Sequence, residues 1–85
     1  MANIYSIRDR SLNCDICCFI SDDNGTASSL LITYALQRPA SSRQLDLYAI
    51  AEVQMADDYY RVFDFVESQY VRSYSEPKVN ENEPA

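Results

Sequence analysis

Residues 45–53 (LDLYAIAEV) alternate between two sets of side chains, and no other stretch constrains the fold so strongly. Every second residue is apolar, while the positions between them include two acids. A period of two indicates a β-strand with one face on a hydrophobic core. The predicted core face consists of Leu45, Leu47, Ala49, Ala51 and Val53. Because two of these residues are alanines, we expect a helix to pack closely against this strand.

Two shorter strands and one helix are predicted before this strand. Residues 3–8 and 15–20 are rich in strand-forming side chains. Apolar residues then recur at the spacing of one helical face, at Ala27, Leu30, Leu31, Tyr34 and Ala35. Asp23 can cap this helix at its start. The helix should end near Gln37, because Pro39 disfavours helical geometry in the residue before it.

Residues 57–72 allow two predictions. As a helix capped by Asp57, this segment would align four large side chains on one face, namely Tyr59, Phe63, Val66 and Tyr70. As a strand, residues 60–65 (YRVFDF) are dense in β-formers and would pair back on residues 45–53. Periodicity slightly favours the helix, while local propensity favours the strand, and both alternatives stay open.

The length of 85 residues permits one domain. We predict an α+β fold in which a small antiparallel sheet of three or four strands packs on one or two helices. This single domain should span residues 1–72. Residues 73–85 (SYSEPKVNENEPA) contain two prolines, several acids and little to bury, so they are predicted to form a disordered acidic tail.

Charge and composition exclude several classes of function. The net charge of −6 should repel bulk nucleic acid and anionic membranes. No segment approaches the roughly 20 apolar residues that span a bilayer, and the N-terminus does not resemble a secretory signal. The chain has no histidine, no glycine-rich phosphate loop and no setting for a nucleophilic serine. We therefore expect an intracellular protein that is not an enzyme, binds no cofactor and does not insert into a membrane.

The cysteines and aspartates that suggest a metal site have simpler explanations. Cys14, Cys17 and Cys18 would need a fourth zinc ligand, which neither a histidine nor a further cysteine supplies. On a strand, Cys14 and Cys17 would lie on opposite faces, so we predict core packing for the cysteines and no redox or metal chemistry. Asp22 and Asp23 lack the remaining ligands of a calcium loop, and helix capping explains them better.

Three segments together resemble a known family. They are IYSIRDR at residues 4–10, FISDDNGTA at 19–27 and DLYAIAEV at 46–53. In this order they are similar to the small non-structural protein of gokushovirus-like Microviridae, which are single-stranded-DNA phages. The chain departs from the family pattern at Ala51, where glycine is usual, and at residues 17–18, where two prolines are common. The family commonly forms another strand after residue 58, which raises the strand alternative for residues 60–65.

The resemblance implies a role in viral single-stranded-DNA replication and in its switch to genome packaging, within the host cytoplasm. The protein would bind viral DNA or the replication complex. Four arginines are the candidate nucleic-acid-binding residues: Arg8, Arg10, Arg38 and Arg43. They would form a positive patch if the end of the first strand and the loop before residue 45 share an edge of the sheet. Tyr5, Tyr34 or Tyr48 would then offer a stacking surface for bases.

Two alternatives oppose this hypothesis. The arginines can instead be surface residues paired with Asp9, Asp22 and Asp46, which the acidic net charge favours.

The protein can also be an acidic interaction module that binds a phage or host protein and no nucleic acid. Its candidate contact residues are Tyr59, Phe63, Val66 and Tyr70. Exposure of these side chains would favour a contact surface, and burial would make them core. A homodimer is also plausible, because one helix leaves part of a thin sheet uncovered.

Overall fold

A computed structural model describes residues 2–55 and 58–75 as a four-stranded antiparallel sheet with one α-helix. The elements in chain order are β1 (Ala2–Asp9), β2 (Cys14–Ser21), α1 (Asn24–Leu36), a 3-10 turn (Ala40–Ser42), β3 (Leu45–Met55) and β4 (Tyr60–Tyr74). The strand order is β2-β1-β3-β4, so β1 and β3 are central while β2 and β4 are edges. The predicted α+β fold is confirmed.

The core lies between α1 and the two central strands. All five residues of the predicted core face of β3 are buried, which confirms the alternation. Tyr5 and Ile7 of β1 face Ala49 and Leu47 across the sheet and belong to the same buried cluster. These cross-strand neighbours form the platform on which the helix rests.

Helix α1 contacts the sheet through a narrow stripe of residues. Ala27, Leu31 and Ala35, each four residues from the next, are completely buried. Leu30 was predicted on the same face but is 44% exposed, because the small residues of the stripe bring the helix axis close to the sheet and leave its flanks outside. Asp23 caps the helix as predicted, since its Oδ1 accepts the backbone N–H of Thr26 at 2.7 Å.

The preference for a helix over residues 57–72 is wrong. Residues 60–74 form β4, which pairs antiparallel with β3. A helix would satisfy its own main chain but leave the edge of β3 unpaired, whereas a strand pairs with that edge. The β-forming residues of this segment also suit a strand. Ser73 and Tyr74 were assigned to the tail but belong to β4. The rest of the predicted tail, from residue 76 onwards, and the proposed cap Asp57 lie outside the described residues.

Strand β2 carries the three cysteines, but its alternation is interrupted by a bulge. Ile7 stands opposite Cys17 and Arg8 opposite Asp15, so the intervening Ile16 has no partner on β1. The bulge brings Cys14 and Cys17 to the same side of the sheet, and the prediction of opposite faces is wrong. Only Cys17 packs partly against the core, whereas Cys14 and Cys18 are exposed because β2 is an edge strand.

Candidate functional site

The end of β1 and the loop before β3 lie together, as the hypothesis of an arginine patch requires. The backbone N–H of Arg10 donates to the carbonyl of Gln44 at 3.0 Å. The Nε of Arg43 in turn donates to the Arg38 carbonyl at 2.8 Å. We call Arg10, Arg38 and Arg43 the arginine corner. Arg8 points away from the corner towards the β1–β2 turn, where it binds Asn13.

Arg38 serves the fold through a buried aspartate. Its Nη2 lies 3.0 Å from Oδ2 of Asp9, and its Nε donates to the Ser42 carbonyl at 2.9 Å. Asp9 is only 1% exposed and also accepts the backbone N–H and hydroxyl of Ser11. The hydroxyl of Ser11 is the main cause that lowers the pKa of Asp9, and Arg38 contributes through its charge. This carboxylate therefore holds the start of the β1–β2 turn against the loop after α1.

The other two arginines of the corner bind carbonyls and one more aspartate. Arg10 reaches Asp46 at 3.5 Å and donates to the carbonyl of Tyr74, which ties β1 to the end of β4. Arg43 donates to the carbonyl of Leu36 at 3.2 Å, one of the acceptors left open where α1 ends. The guanidinium groups of the corner thus hold together the ends of α1 and β4 and the loops beside them.

The charges around these arginines are largely compensated. Arg8 pairs with Asp15 at 3.3 Å, a partner that the sequence did not single out. Counterion release from DNA requires cations that are free to meet phosphates. Each of the four candidate arginines already has acceptors within the protein, and three have a carboxylate beside them: Arg8, Arg10 and Arg38. The geometry therefore resembles the pairing alternative more than an open cationic patch.

The tyrosines proposed for base stacking differ in exposure, and Tyr34 and Tyr48 are both half-buried. Tyr5 is buried in the core, and Tyr34 is half-buried with the guanidinium of Arg38 5.7 Å from its ring centre. Tyr48 lies on the sheet face opposite α1 and lines a cleft of about 220 Å³ that Arg8 also borders. Ser6 lines this cleft as well, and its buried hydroxyl finds no hydrogen-bond partner within the described residues.

The four candidate contact residues of the interaction module are all exposed: Tyr59, Phe63, Val66 and Tyr70. They do not form a helical stripe, because β4 is a strand. Tyr59 and Phe63 lie near the β3–β4 connection together with further exposed apolar side chains. We call this group of exposed side chains the hairpin patch, and it consists of Ile20, Met55, Tyr59, Tyr60, Val62 and Phe63. Val62 stands opposite Val53 and Phe63 opposite Glu52, so these two side chains project from opposite faces of the hairpin.

Three members of the hairpin patch that were predicted for no site border a cleft. Ile20, Met55 and Tyr60 line a cleft of about 480 Å³, together with Val53 and Ala2. Met55 continues the apolar alternation of β3 and would be read as core from the sequence. It is exposed because it lies beyond the residues that α1 covers. The sequence feature that could have indicated the hairpin patch is the pair of aromatic residues at 59–60, close after the alternating strand.

Val66 and Tyr70 lie further along β4, around an irregular segment. Ala49 stands opposite Gln69 while Ala51 stands opposite Asp64, so residues 65–68 have no residue of β3 opposite them. Val66 is fully exposed in this segment. Tyr70 is 60% exposed although its ring meets that of Tyr48 at 5.8 Å between ring centres.

Residues 2–55 and 58–75 contain neither a cluster of metal ligands nor a membrane-spanning helix. No three side chains of His, Cys, Asp or Glu in these ranges gather closely enough to hold a metal ion. No helix of the described chain is long and apolar enough to cross a membrane.

No protein-family model matches this chain, and no curated protein and no solved structure is similar to it at a significant level. The phage resemblance stays a prediction.

Proposed function

We propose that this chain is a non-enzymatic interaction module whose hairpin patch binds a phage or host protein. The observation that carries this proposal is the exposure of six large apolar side chains on one hairpin and the adjoining strand end. Single exposed apolar residues are ordinary on protein surfaces, whereas several that gather on one short hairpin, three of them around one cleft, mark an interaction site. In the setting that the phage resemblance implies, the partner belongs to the viral replication complex in the host cytoplasm.

The side chains of the patch suit a protein partner. Tyrosine, phenylalanine and methionine are enriched in the centres of protein interfaces, where they supply large contact areas. Two acidic residues lie beside Phe63, with Glu52 opposite it and Asp64 next to it, while the base Arg61 lies over the ring of Tyr59. A partner with an apolar centre and a basic rim would therefore complement it. The acidic net charge opposes direct docking on phosphates and leaves such a basic protein as the favoured partner.

Site-specific photocrosslinking tests the patch directly. A benzophenone amino acid replaces Tyr60 in one variant and Leu36 in a matched control, since Leu36 is 55% exposed on α1, away from the patch. During phage infection, the probe at position 60 should join the chain to one or a few proteins that the probe at 36 does not reach. Equal crosslinking from both positions would contradict the proposal.

A second variant separates docking from folding. The double substitution Tyr60→Ser and Phe63→Ser removes two exposed rings, so the free energy of unfolding should change little. Loss of the crosslinked partner with an unchanged circular dichroism spectrum would support the patch as the contact surface. A partner retained by this variant would place its contact elsewhere.

Binding of single-stranded viral DNA is a second candidate function. It is favoured by the convergence of Arg10, Arg38 and Arg43 and by the position of Tyr48 beside Arg8. Replication and its switch to packaging would then act through DNA rather than through a protein. The net charge and the acceptors already held by the arginines oppose it.

Oligonucleotide binding across a salt series tests this second function. Fluorescent single- and double-stranded DNA are titrated with the wild type and with Arg8→Gln and Arg10→Gln variants. Arg61→Gln, on the hairpin, serves as a control of equal charge change. DNA binding predicts an affinity that falls with salt and with the first two variants but less with the control. Absence of binding at low salt would overturn this candidate for the isolated protein.

A further inference from the structure

Gly25 is the only glycine of the chain, and Asn24 comes directly before it. The main-chain nitrogen that follows an asparagine can attack the side-chain amide, and glycine allows this attack most easily because it has no Cβ in the way. Asparagine is among the thermolabile residues of proteins. No other asparagine of this chain precedes a glycine, so Asn24 is chemically the most reactive one.

The reaction is deamidation through a cyclic imide. The Gly25 nitrogen bonds to Cγ of Asn24, the bond from Cγ to Nδ2 breaks, and Nδ2 leaves as ammonia with the proton that the Gly25 nitrogen loses. Water then adds to either ring carbonyl and opens the imide. The product carries aspartate at position 24, or isoaspartate, in which the main chain runs through the side-chain carbon.

The fold holds the side-chain amide of Asn24 in place. Asn24 is the first residue of α1, and its Oδ1 accepts the hydroxyl of Tyr5 at 2.6 Å. Tyr5 is completely buried and stacks on Phe19, so its hydroxyl is a fixed donor. Ring closure requires Asn24 to leave its helical main-chain conformation and Cγ to turn towards the Gly25 nitrogen, which would break this hydrogen bond.

The attacking nitrogen is restrained as well. The pKa of Asp23 is lowered, chiefly by hydrogen bonds from Thr26 and to a smaller extent by the backbone N–H of Gly25. This N–H therefore faces an ionised carboxylate, and the exposed carboxylate of Asp22 is close by in the chain. Attack requires the nitrogen to lose its proton, and negative charge beside it opposes that loss.

We propose that Asn24 is a deamidation site which the folded protein protects through the Tyr5 hydroxyl, so that the reaction follows opening of the first turn of α1. The first turn of a helix opens more easily than its centre, because its N–H groups have no acceptor within the helix. A donor on Oδ1 also withdraws electrons from Cγ, which by itself would favour attack. This electronic effect has no consequence while Cγ is held away from the Gly25 nitrogen, so protection outweighs it.

The modification goes beyond the proposed function and does not depend on it. A carboxylate at position 24 joins Asp22 and Asp23 at the start of α1, where the helix dipole favours negative charge, so aspartate there should leave the fold intact. Isoaspartate lengthens the main chain and cannot keep both the helix start and the contact with Tyr5. Asp22 also lines the cleft of the hairpin patch, so the new charge appears close in the chain to that surface.

Deamidation rates of the folded and the unfolded chain test the proposal. The full chain is incubated in mildly alkaline buffer with and without urea, together with a reductant for its free cysteines. Peptide mapping by mass spectrometry follows the conversion of amide to acid, and chromatography separates aspartate from isoaspartate. In urea, Asn24 should react faster than Asn3 and Asn13. Folding should slow the reaction of Asn24 by about tenfold or more.

Two substitutions separate the hydrogen bond from general stability. Tyr5→Phe removes the donor and should speed deamidation of the folded chain about fivefold, the factor that one hydrogen bond contributes. Ile7→Val is the matched control on the same strand, because it weakens the fold to a similar extent. Ile7 lines a cleft with Tyr34, towards the other end of α1, so this variant should leave the rate unchanged.

Gly25→Ala tests the chemistry itself. The added Cβ hinders attack and should slow the reaction in urea by about tenfold or more. The nearest atom to this Cβ is Oδ1 of Asp23 at 3.3 Å, the end of a movable side chain, and alanine suits a helix better than glycine. The fold should therefore tolerate this variant.

A faster reaction in Tyr5→Phe than in the wild type and in Ile7→Val would support the proposal. An unchanged or slower reaction in Tyr5→Phe would overturn the protective role of the hydroxyl. An equal rise in Ile7→Val would mean that Asn24 reacts through global unfolding and would overturn local opening. An Asn24 that stays unmodified in urea would overturn the site. Photocrosslinking from position 60 reports the hairpin patch separately, so failure of either proposal is recognised without the other.

Discussion

The neighbouring strands β3 and β4 have similar apolar content but opposite exposure. Five apolar residues of β3 are buried, while no residue of β4 is fully buried. Five large apolar side chains of β4 are exposed, namely Tyr60, Val62, Phe63, Val66 and Tyr70. The two strands pair with each other, so the difference comes from their position. β3 lies between β1 and β4 under α1, whereas β4 ends the sheet. Composition thus made both segments strands, and strand order decided which one is core.

This difference indicates where function should be sought. The apolar residues of β3 are accounted for by burial, which stabilises the fold. On β4, Phe65, Val71 and Tyr74 pack partly against the core, but the exposed apolar side chains gain little from folding, because water still reaches them. An exposed apolar surface is therefore more informative about partners than a buried one. Substitutions in the buried core and on exposed β4 test this difference, because only the first should strongly lower the free energy of unfolding.

The largest effect is expected at the centre of the helix stripe. Leu31→Ala removes a completely buried side chain between α1 and the sheet and should lower the free energy of unfolding by about 2–5 kcal/mol. Leu30→Ala is the control, because Leu30 is the adjacent residue of the same helix and is partly exposed. Urea denaturation of both variants measures the difference. Equal losses would show that α1 does not contact the sheet through this stripe.

A smaller effect is expected where β1 meets the start of α1. The hydroxyl of buried Tyr5 donates to Oδ1 of Asn24 at 2.6 Å, while its ring stacks on Phe19. Tyr5→Phe keeps the ring and removes the hydrogen bond, so the free energy of unfolding should fall by about 1 kcal/mol. Tyr60→Phe, an exposed counterpart on β4, should change it by less. A larger loss from the β4 variant would break the comparison.

The sequence predicted the elements that its own periodicity defines. The alternation of residues 45–53 gave the central strand, and the helical spacing from Ala27 to Ala35 gave α1. β4 could not be assigned in the same way, since its large residues fit both a helical stripe and a strand. The edge of β3, a feature of the assembled sheet, decided between them.

The candidate sites, like β4, could be predicted from the sequence only in part. Arg10 and Arg43 lie near each other because of the order of the strands, which could be foreseen only as a condition on how the sheet is arranged. That their guanidinium groups bind carbonyls of Tyr74 and Leu36 depends on where β4 and α1 end. Exposure of Val66 likewise follows from an irregular pairing with β3 that residue types do not encode. Contacts between the ends of elements that lie far apart in the sequence could not be predicted from residue types.

Acid pH should destabilise the β1–β2 turn. The pKa of Asp9 is lowered from its ordinary value of 3.8 by its hydrogen bonds and by Arg38. A lowered folded-state pKa means that Asp9 contributes stability above pH 3.8 and loses it as the pH falls through the folded value. The pKa of Asp23, the helix cap, is lowered by the Thr26 N–H and acts in the same direction.

Urea midpoints measured from pH 5 down to about pH 2 test this dependence. Asp9→Asn should lower the midpoint at pH 5 and reduce its further fall below pH 3.8. Asp23→Asn keeps a capping side chain and should reduce the fall of the midpoint only by the part that the Asp23 carboxylate contributes. A wild-type midpoint that is constant over this range would contradict the role of both carboxylates.

The smallest effect on the folded monomer is expected at Val66. Val66→Ser replaces a fully exposed apolar side chain, so the free energy of unfolding should stay within about 0.5 kcal/mol of the wild type in dilute protein. Urea denaturation in dilute protein measures this difference. A large loss would mean that Val66 packs within the monomer, and β4 would then be core like β3.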